Sequence, residues 1–345
     1  MRLCPRDQGD CDVNPFEYVS PEKVEDVPGL LNRRRGRKTA LMAGGIDLLG
    51  EMKDNLAEPE RVVNLKSIPE LKYIKHEKDG LRIGATTTLT EIVEDERIVE
   101  TYTALAEAAE SVASVQIRNV GTIGGNLCQR PRCWYYRAEE YVCLKKGGWQ
   151  CFAYEGNNKY NAIIAGGPSY IVHPSDCAPA LIALGASVKV HGPRGEKEIP
   201  LVEFFVHPEE RLNHETVLRP NEVVTEVIVP KPAKGTRSTY LKFKEKGSMD
   251  WALSAVAAVA EVDGGQIKSS SVVLGGVAPM PWTVDAAPGI LNGKKPDSET
   301  LEALADAAVA DAEPLEHNGY KVPLTRTLVK RAVQGVVDGR RSSRG

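Results

Sequence analysis

The chain has 345 residues, of which 42% are hydrophobic and 26% charged, with a formal net charge of -3. That length implies two or three domains, each able to bury its own core, and a charge so near balance excludes a dedicated binder of nucleic acid or other polyanions. The opening stretch MRLCPRDQGDCDVNPFEYV carries no apolar leader, and no run approaches the roughly 18 apolar residues of a membrane span, so a cytoplasmic protein without a span is expected.

Residues 1–13 read as a polar tail whose Cys4 and Cys11 are incidental. FEYVSPEKVEDVPGLLNRR predicts a short strand and a Ser-Pro start to an amphipathic helix. KTALMAGGIDLLGEM predicts a buried strand that runs into a glycine turn, which together make a small βαβ-like unit. RVVNLKSIPELKYIKHEKDGLRIGATTTLTEIVED alternates short strands about Asp79-Gly80 and ends in a Thr-capped helix. TALAEAAESVASVQIRNVGTIGGN predicts a helix of small residues and a second glycine turn.

From Cys128 to Pro168 the periodicity fails, and an inserted loop is expected. SYIVHPSDCAPALIALGASVKVHGPRGEKEIPLVEFF then predicts a strand, a short helix and a hairpin turning at His191 to Gly195. NEVVTEVIVP and the residues up to PMPW predict long strands with a hairpin at Asp263-Gly264-Gly265, and Ala-rich helices close the chain. A boundary near Pro220 separates a larger N-terminal part from an α+β C-terminal part. There is no internal repeat.

AGGIDLL (43–49) and GTIGGN (121–126) are both glycine turns at the ends of apolar segments. Successive N–H groups in such turns hold phosphate without a cationic side chain. Neither is G-x-G-x-x-G or a Walker A loop, so a nicotinamide Rossmann domain and an NTPase are both unsupported. Each alone reads as a plain tight turn, and context has to decide.

The ordered words FEYVSP, AGGIDLL, IRNVGTIGGNL, HPSDCAPALIAL, EVVTEVIVP, YLKFKEKGSMDWAL and LGGVAPMP span about residues 14–340. This set resembles the flavin-binding medium subunit of the molybdenum hydroxylases, the group of xanthine dehydrogenase, aldehyde oxidoreductase and carbon monoxide dehydrogenase. The resemblance implies an α+β chain: a two-subdomain FAD-binding fold of the vanillyl-alcohol-oxidase type (14–70 and 71–219, with 128–168 inserted), then an α+β C-terminal flavoprotein domain (220–345). It implies that FAD lies between the subdomains with its pyrophosphate on the two glycine loops. Leu41, Met42, Ala43, Gly44, Gly45, Ile46, Asp47 and Leu48 match one loop, and Thr122, Gly124, Gly125 and Asn126 the other. The family has Thr where this chain has Ile46, which removes one hydroxyl contact. Asp176 matches an acidic residue near the ribityl and flavin end, or else caps a helix; Val224 and Lys242 match positions beside the isoalloxazine ring, and Lys242 alone reads as a solvated strand lysine.

Four of the seven cysteines fall between 128 and 151. In a reducing compartment such a cluster points to metal or catalysis rather than disulfides, and its C-x4-C-x9-C-x7-C spacing lacks the close knuckles of structural zinc. The loop resembles the insert of 4-hydroxybenzoyl-CoA reductase and of certain periplasmic aldehyde oxidoreductases, which implies an extra [4Fe-4S] cluster. Cys133, Cys143 and Cys151 match its first three ligands, while Ser169 stands where the fourth cysteine belongs. Ligation by Ser169, recruitment of Cys128 and a three-cysteine site all stay open. Cys177 reads as buried in helix packing. Arg130, Arg132, Arg137, Lys145 and Lys146 surround the thiols and are expected to stabilise thiolates, or else to form a solvated or partner-facing loop.

The resemblance implies an oxidoreductase subunit for electron transfer, with no catalytic acid or base of its own. Its implied partners are a molybdopterin-binding large subunit and a small [2Fe-2S] subunit, with NAD, ferredoxin, a quinone or oxygen as the external acceptor. The rivals are a metal-binding scaffold with a decayed flavin site and a stand-alone flavin oxidase.

Overall fold

The computed structural model describes residues 13–31 and 38–339, so Cys4, Cys11 and nearly all of the polar tail lie outside the described residues. Three sheets organise the described residues. The first is parallel, with strands β1 (Glu17–Val19), β2 (Thr39–Met42) and β3 (Arg61–Asn64) in the order β1-β3-β2. Val62 and Val63 of the central strand are fully buried, as expected for a short parallel strand covered on both faces. The crossovers hold the helix Leu48–Lys53 and, among the described residues where an amphipathic helix is expected, a 3-10 turn Val24–Asp26 with one helical turn Val27–Leu30. Pro28 stands in the first turn of that segment, where its missing N–H costs nothing, and Gly29 next to it weakens the helix.

The second sheet is antiparallel, with β4 (Ile74–His76), β5 (Gly80–Gly84), β6 (Ser187–Gly192), β7 (Gly195–Pro200) and β8 (Val223–Pro230) in the order β4-β5-β8-β6-β7. Strand β8 pairs with both β5 and β6, so this sheet runs through Pro230 and the division expected at 219/220 falls ahead of its central strand. Long-range pairing decides that membership, and local sequence carries no sign of it. Helices Leu89–Glu94, Glu96–Thr101, Thr103–Glu110 and Cys177–Ala183 contribute to its core, and the first is opened by a complete Thr88/Glu91 capping box. The strand expected at SYIVH is absent; Tyr170 and His173 make single backbone bonds to Ala162 and Ala278.

The third sheet is antiparallel, with β9 (Thr236–Phe243), β10 (Ser254–Asp263), β11 (Gln266–Gly275) and β12 (Trp282–Thr283) in the order β12-β11-β10-β9. Its β10 is buried on both faces, which explains why SAVAAVA uses small residues without alternation. On one side Ala104, Ala108, Ala180 and Ala183 meet Ala255 and Ala257. On the other, helices Ala287–Leu291, Ser298–Ala308 and Lys321–Asp338 cover Val256 and Ala258. Small side chains let the helix backbones approach closely, and this docks the C-terminal sheet against the second subdomain.

Residues 128–168 form the irregular insert foreseen, with one helical turn at Trp134–Arg137 and a 3-10 turn at Leu144–Lys146. Lys321 anchors its far end. The fully buried ammonium donates to the carbonyls of Tyr160, Asn161 and Gly276 at 2.9 to 3.0 Å.

Candidate functional site

The turn after β2 belongs to the first subdomain and the turn before the helix Ile123–Leu127 to the second. They meet face to face. A Cβ on Gly44 would stand 2.4 Å from the Val120 carbonyl oxygen, so only glycine allows this approach, and Gly45 next to it takes φ +76°. On the other side Gly124 sits against Ala85, where a Cβ would approach its carbonyl oxygen to 2.9 Å. Between them runs a cleft of about 350 Å³ lined by Leu41 to Leu48, Thr122, Gly124, Gly125, Asn126 and Val224. Thirteen of the fifteen cofactor positions expected from sequence therefore share one cavity.

The two loops differ in what they offer a phosphate. In the second, the N–H groups of Ile123 and Gly124 already donate to the carbonyls of Thr87 and Ala85, and that of Gly125 donates to Thr122 Oγ1 at 3.2 Å. The backbone N–H groups of residues 44–47 donate to no acceptor among the described residues. Consecutive N–H groups left without a protein acceptor on a cleft wall are an arrangement that suits an anion. The first loop supplies the donors, whereas the second supplies close approach. Ile46 is 46% exposed, and its backbone N–H is among those left without a protein acceptor.

Neither Asp176 nor Lys242 lines this cavity, but Asp176 borders a small one beside it that shares Arg132 and Trp251. Asp176 stands at the start of the helix Cys177–Ala183, but its side chain makes no capping bond. Ser175 does that work, accepting from Ala178 N–H at 3.0 Å and donating to Asn126 Oδ1 at 2.6 Å. Asp176 is thus free to accept from Tyr240 Oη at 2.7 Å and Lys242 Nζ at 2.8 Å. Lys242 is buried and ion-paired, so the solvated lysine does not describe it. The phenol of Tyr240, buried beside that carboxylate, is held well above its ordinary pKa.

The cysteine insert folds against the first glycine loop. Asp47 accepts from the backbone N–H of Arg130 at 2.6 Å, from Arg132 Nη1 at 2.8 Å and from Arg137 Nη2 at 2.7 Å. Glu51, one helical turn on, accepts from Tyr136 Oη at 2.6 Å, and burial raises its pKa. Arg130 also reaches Glu215 at 2.6 Å, and Lys145 meets the same carboxylate at 2.8 Å. The cations expected to stabilise thiolates are therefore spent on carboxylates and carbonyls. Burial pushes the Cys133 thiol up, with a smaller contribution from neighbouring Cys151, and burial takes Cys128 to about 12.

The thiols do not form a finished metal site: among the described residues no three His, Cys, Asp or Glu side chains converge on one point. Cys133 accepts a weak bond from Asn161 Nδ2 at 3.6 Å and borders an adjoining cavity of about 230 Å³, while Cys128 lines the nucleotide cleft. Cys143 and Ser169 are buried, and Cys177 is fully buried in helix packing as expected. Sequence reasoning overlooked Arg132 and Trp251 as cleft residues. Both line the cleft, the guanidinium lying 4.6 Å from the indole centroid. No local signal marks that pairing, because 119 positions of chain separate the two.

The fold and cleft define a flavoprotein with a two-subdomain FAD-binding part and a C-terminal sheet domain. Residues 14–232 match the family described as FAD binding domain in molybdopterin dehydrogenase, and residues 238–336 match the CO dehydrogenase flavoprotein C-terminal domain. The chain is 35% identical to the aldehyde oxidoreductase FAD-binding subunit PaoB of Escherichia coli, over 86% of this chain and 92% of that protein. It is 32% identical to the carbon monoxide dehydrogenase medium chain of Hydrogenophaga pseudoflava, over 92% and 96%. A solved carbon monoxide dehydrogenase from that organism superposes with a TM-score of 0.75 at 31% identity, covering 94% of this chain and 98% of that one. The chain belongs to the FAD-binding subunits of the molybdenum hydroxylases, which are oxidoreductase flavoproteins. No helix of the described residues is long and apolar enough to cross a membrane.

Proposed function

We propose that this chain is the electron-transfer subunit of a heteromeric molybdenum hydroxylase, receiving electrons from the [2Fe-2S] clusters of a small partner and passing them to an external acceptor. A molybdopterin-binding large subunit would act on the substrate. FAD suits the junction because it exchanges electrons singly or in pairs, and the protein's task is placement and tuning. The observation that carries the reading is the cradle at residues 44–47, whose unpaired N–H groups face a cleft between two subdomains in a chain belonging along nearly its whole length to this family. The residues expected on the two glycine loops, with Val224, would hold the cofactor. The Asp176–Lys242 pair would brace the helix Cys177–Ala183 against the C-terminal sheet beside the site. The intact cradle argues against a decayed scaffold.

We propose further that Cys133, Cys143 and Cys151 bind an iron–sulfur cluster, with Ser169 nearer to hand than Cys128 as the fourth position. The cysteine spacing and the closeness of Cys151 to both Cys133 and Tyr170, the residue after Ser169, support this. Since the thiols do not converge without metal, no electron path is drawn through them.

The test is anaerobic purification of the complex with FAD, iron, acid-labile sulfide and zinc counted per chain. About one FAD with three to four iron is expected. Protein without FAD would sink the electron-transfer reading. FAD without iron would leave it standing and remove the cluster, and substrate-dependent flavin reduction by the isolated chain would favour a stand-alone oxidase.

A further inference from the structure

The first glycine loop has an electrostatic problem. Its cradle suits a pyrophosphate dianion, yet Asp47 is part of the loop and Glu51 is one turn along the helix that follows. Two carboxylates beside a dianion oppose its binding, most strongly where burial lowers the effective dielectric. Among the cations that answer them, Arg130, Arg132 and Arg137 all come from the insert, and Asp47 or Glu51 touches each one.

Arg132 differs from the other two. Arg130 directs its guanidinium to Glu215, Tyr136 and the Asn213 carbonyl, and Arg137 directs its own to Asp47 and the Pro131 carbonyl. Arg132 is fixed by Asp47, by Gln129 Oε1 at 3.2 Å and by the Trp251 ring, but its buried Nε has no hydrogen-bond partner. Arg132 lines the wall of the nucleotide cleft beside the loop whose own N–H groups lack acceptors, so its guanidinium charge stands where an anion held by that loop would feel it.

We propose that Arg132 is a pyrophosphate-binding residue for FAD, supplied to the glycine cradle by the cysteine insert. The insert thereby serves the flavin as well as its thiols, because Asp47 and Trp251 hold in place the cation that offsets the loop's own carboxylate. This inference rests on the FAD reading above.

The experiment measures Kd for FAD by flavin fluorescence, using flavin-stripped full-length chain, with ADP as a competitor that carries the pyrophosphate without the flavin. Arg132→Gln is expected to raise Kd for FAD at least tenfold and to weaken ADP by a similar factor, while Arg132→Lys recovers most of both. If Arg132→Gln does not fold by circular dichroism, Arg132→Met replaces it. A neutral variant within twofold of wild type overturns the proposal, as does a lysine variant no better than glutamine, since packing and not charge would then be at work. Wild-type chain that takes up no FAD would instead overturn the flavin reading itself.

Discussion

Lys242 Nζ lies 2.8 Å from Asp176 Oδ2, and each side chain is only 4% exposed. The pair joins the start of the helix Cys177–Ala183 to strand β9 of the C-terminal sheet, so it fastens the two parts of the chain together. Removing one partner strands a buried charge. Lys242→Met is expected to cost about 3–5 kcal/mol in urea unfolding, and Asp176→Asn a comparable amount, while the double variant costs clearly less than their sum. Additive losses would show that the two charges are not coupled.

Gly44→Ala tests the approach of the two glycine turns. The added methyl would meet the Val120 carbonyl at 2.4 Å, and backbone atoms on both sides leave no flexible side chain to yield. We expect about 1–3 kcal/mol of destabilisation by overpacking and at least a tenfold fall in FAD retained through purification. Gly50→Ala, where nothing stands within 4 Å, is the control and should leave FAD content unchanged.

Burial lowers the Lys321 pKa to about 7, from an ordinary value near 10.5. Between those two values the unfolded chain binds the proton that the folded chain releases, so stability rises with pH across that window and the penalty is fullest below pH 7. Lys321→Met is expected to flatten this part of the pH–stability curve. It also strips the donor from three carbonyls, of Tyr160, Asn161 and Gly276, so the variant should be less stable at every pH. Chemical denaturation from pH 6.5 to 9.5 reads both effects, and an unchanged slope would show that Lys321 does not titrate there.

Iron content tests the two candidate fourth ligands. Cys128 lines the nucleotide cleft and Cys133 an adjoining cavity, with Arg132 and Trp251 in the wall between them. Cys128→Ser should therefore leave iron per chain unaltered, whereas Cys133→Ser should lose at least half of it. Ser169→Cys is expected to raise the iron toward four per chain and to slow its loss in air. A fall in iron with Cys128→Ser would reinstate that thiol as a ligand.

The glycine loops were legible in the sequence because close backbone approach and left-handed turns demand glycine locally, and AGGIDLL and GTIGGN carry it within a few residues; that only the first leaves its N–H groups unpaired was not legible. The small residues of SAVAAVA likewise announced close packing, though not that two helical layers would meet the same strand. The insert was legible as a break in periodicity. The destination of its charges was not, because Arg130, Arg132 and Arg137 find Asp47 and Glu51 some 80 to 90 positions earlier in the chain.

By itself the sequence determined the family, the order of the domains, the two loops of the cradle and the presence of a cysteine-bearing insert, since all of these are written as contiguous words. Only the tertiary structure decided that β8 belongs to the second sheet, that Asp176 and Lys242 pair with each other, and that the basic residues around the thiols turn to carboxylates and carbonyls. Those outcomes depend on which charged groups lose water together when the chain closes. Burial makes each such group take the nearest opposite charge or acceptor, wherever in the sequence that partner lies.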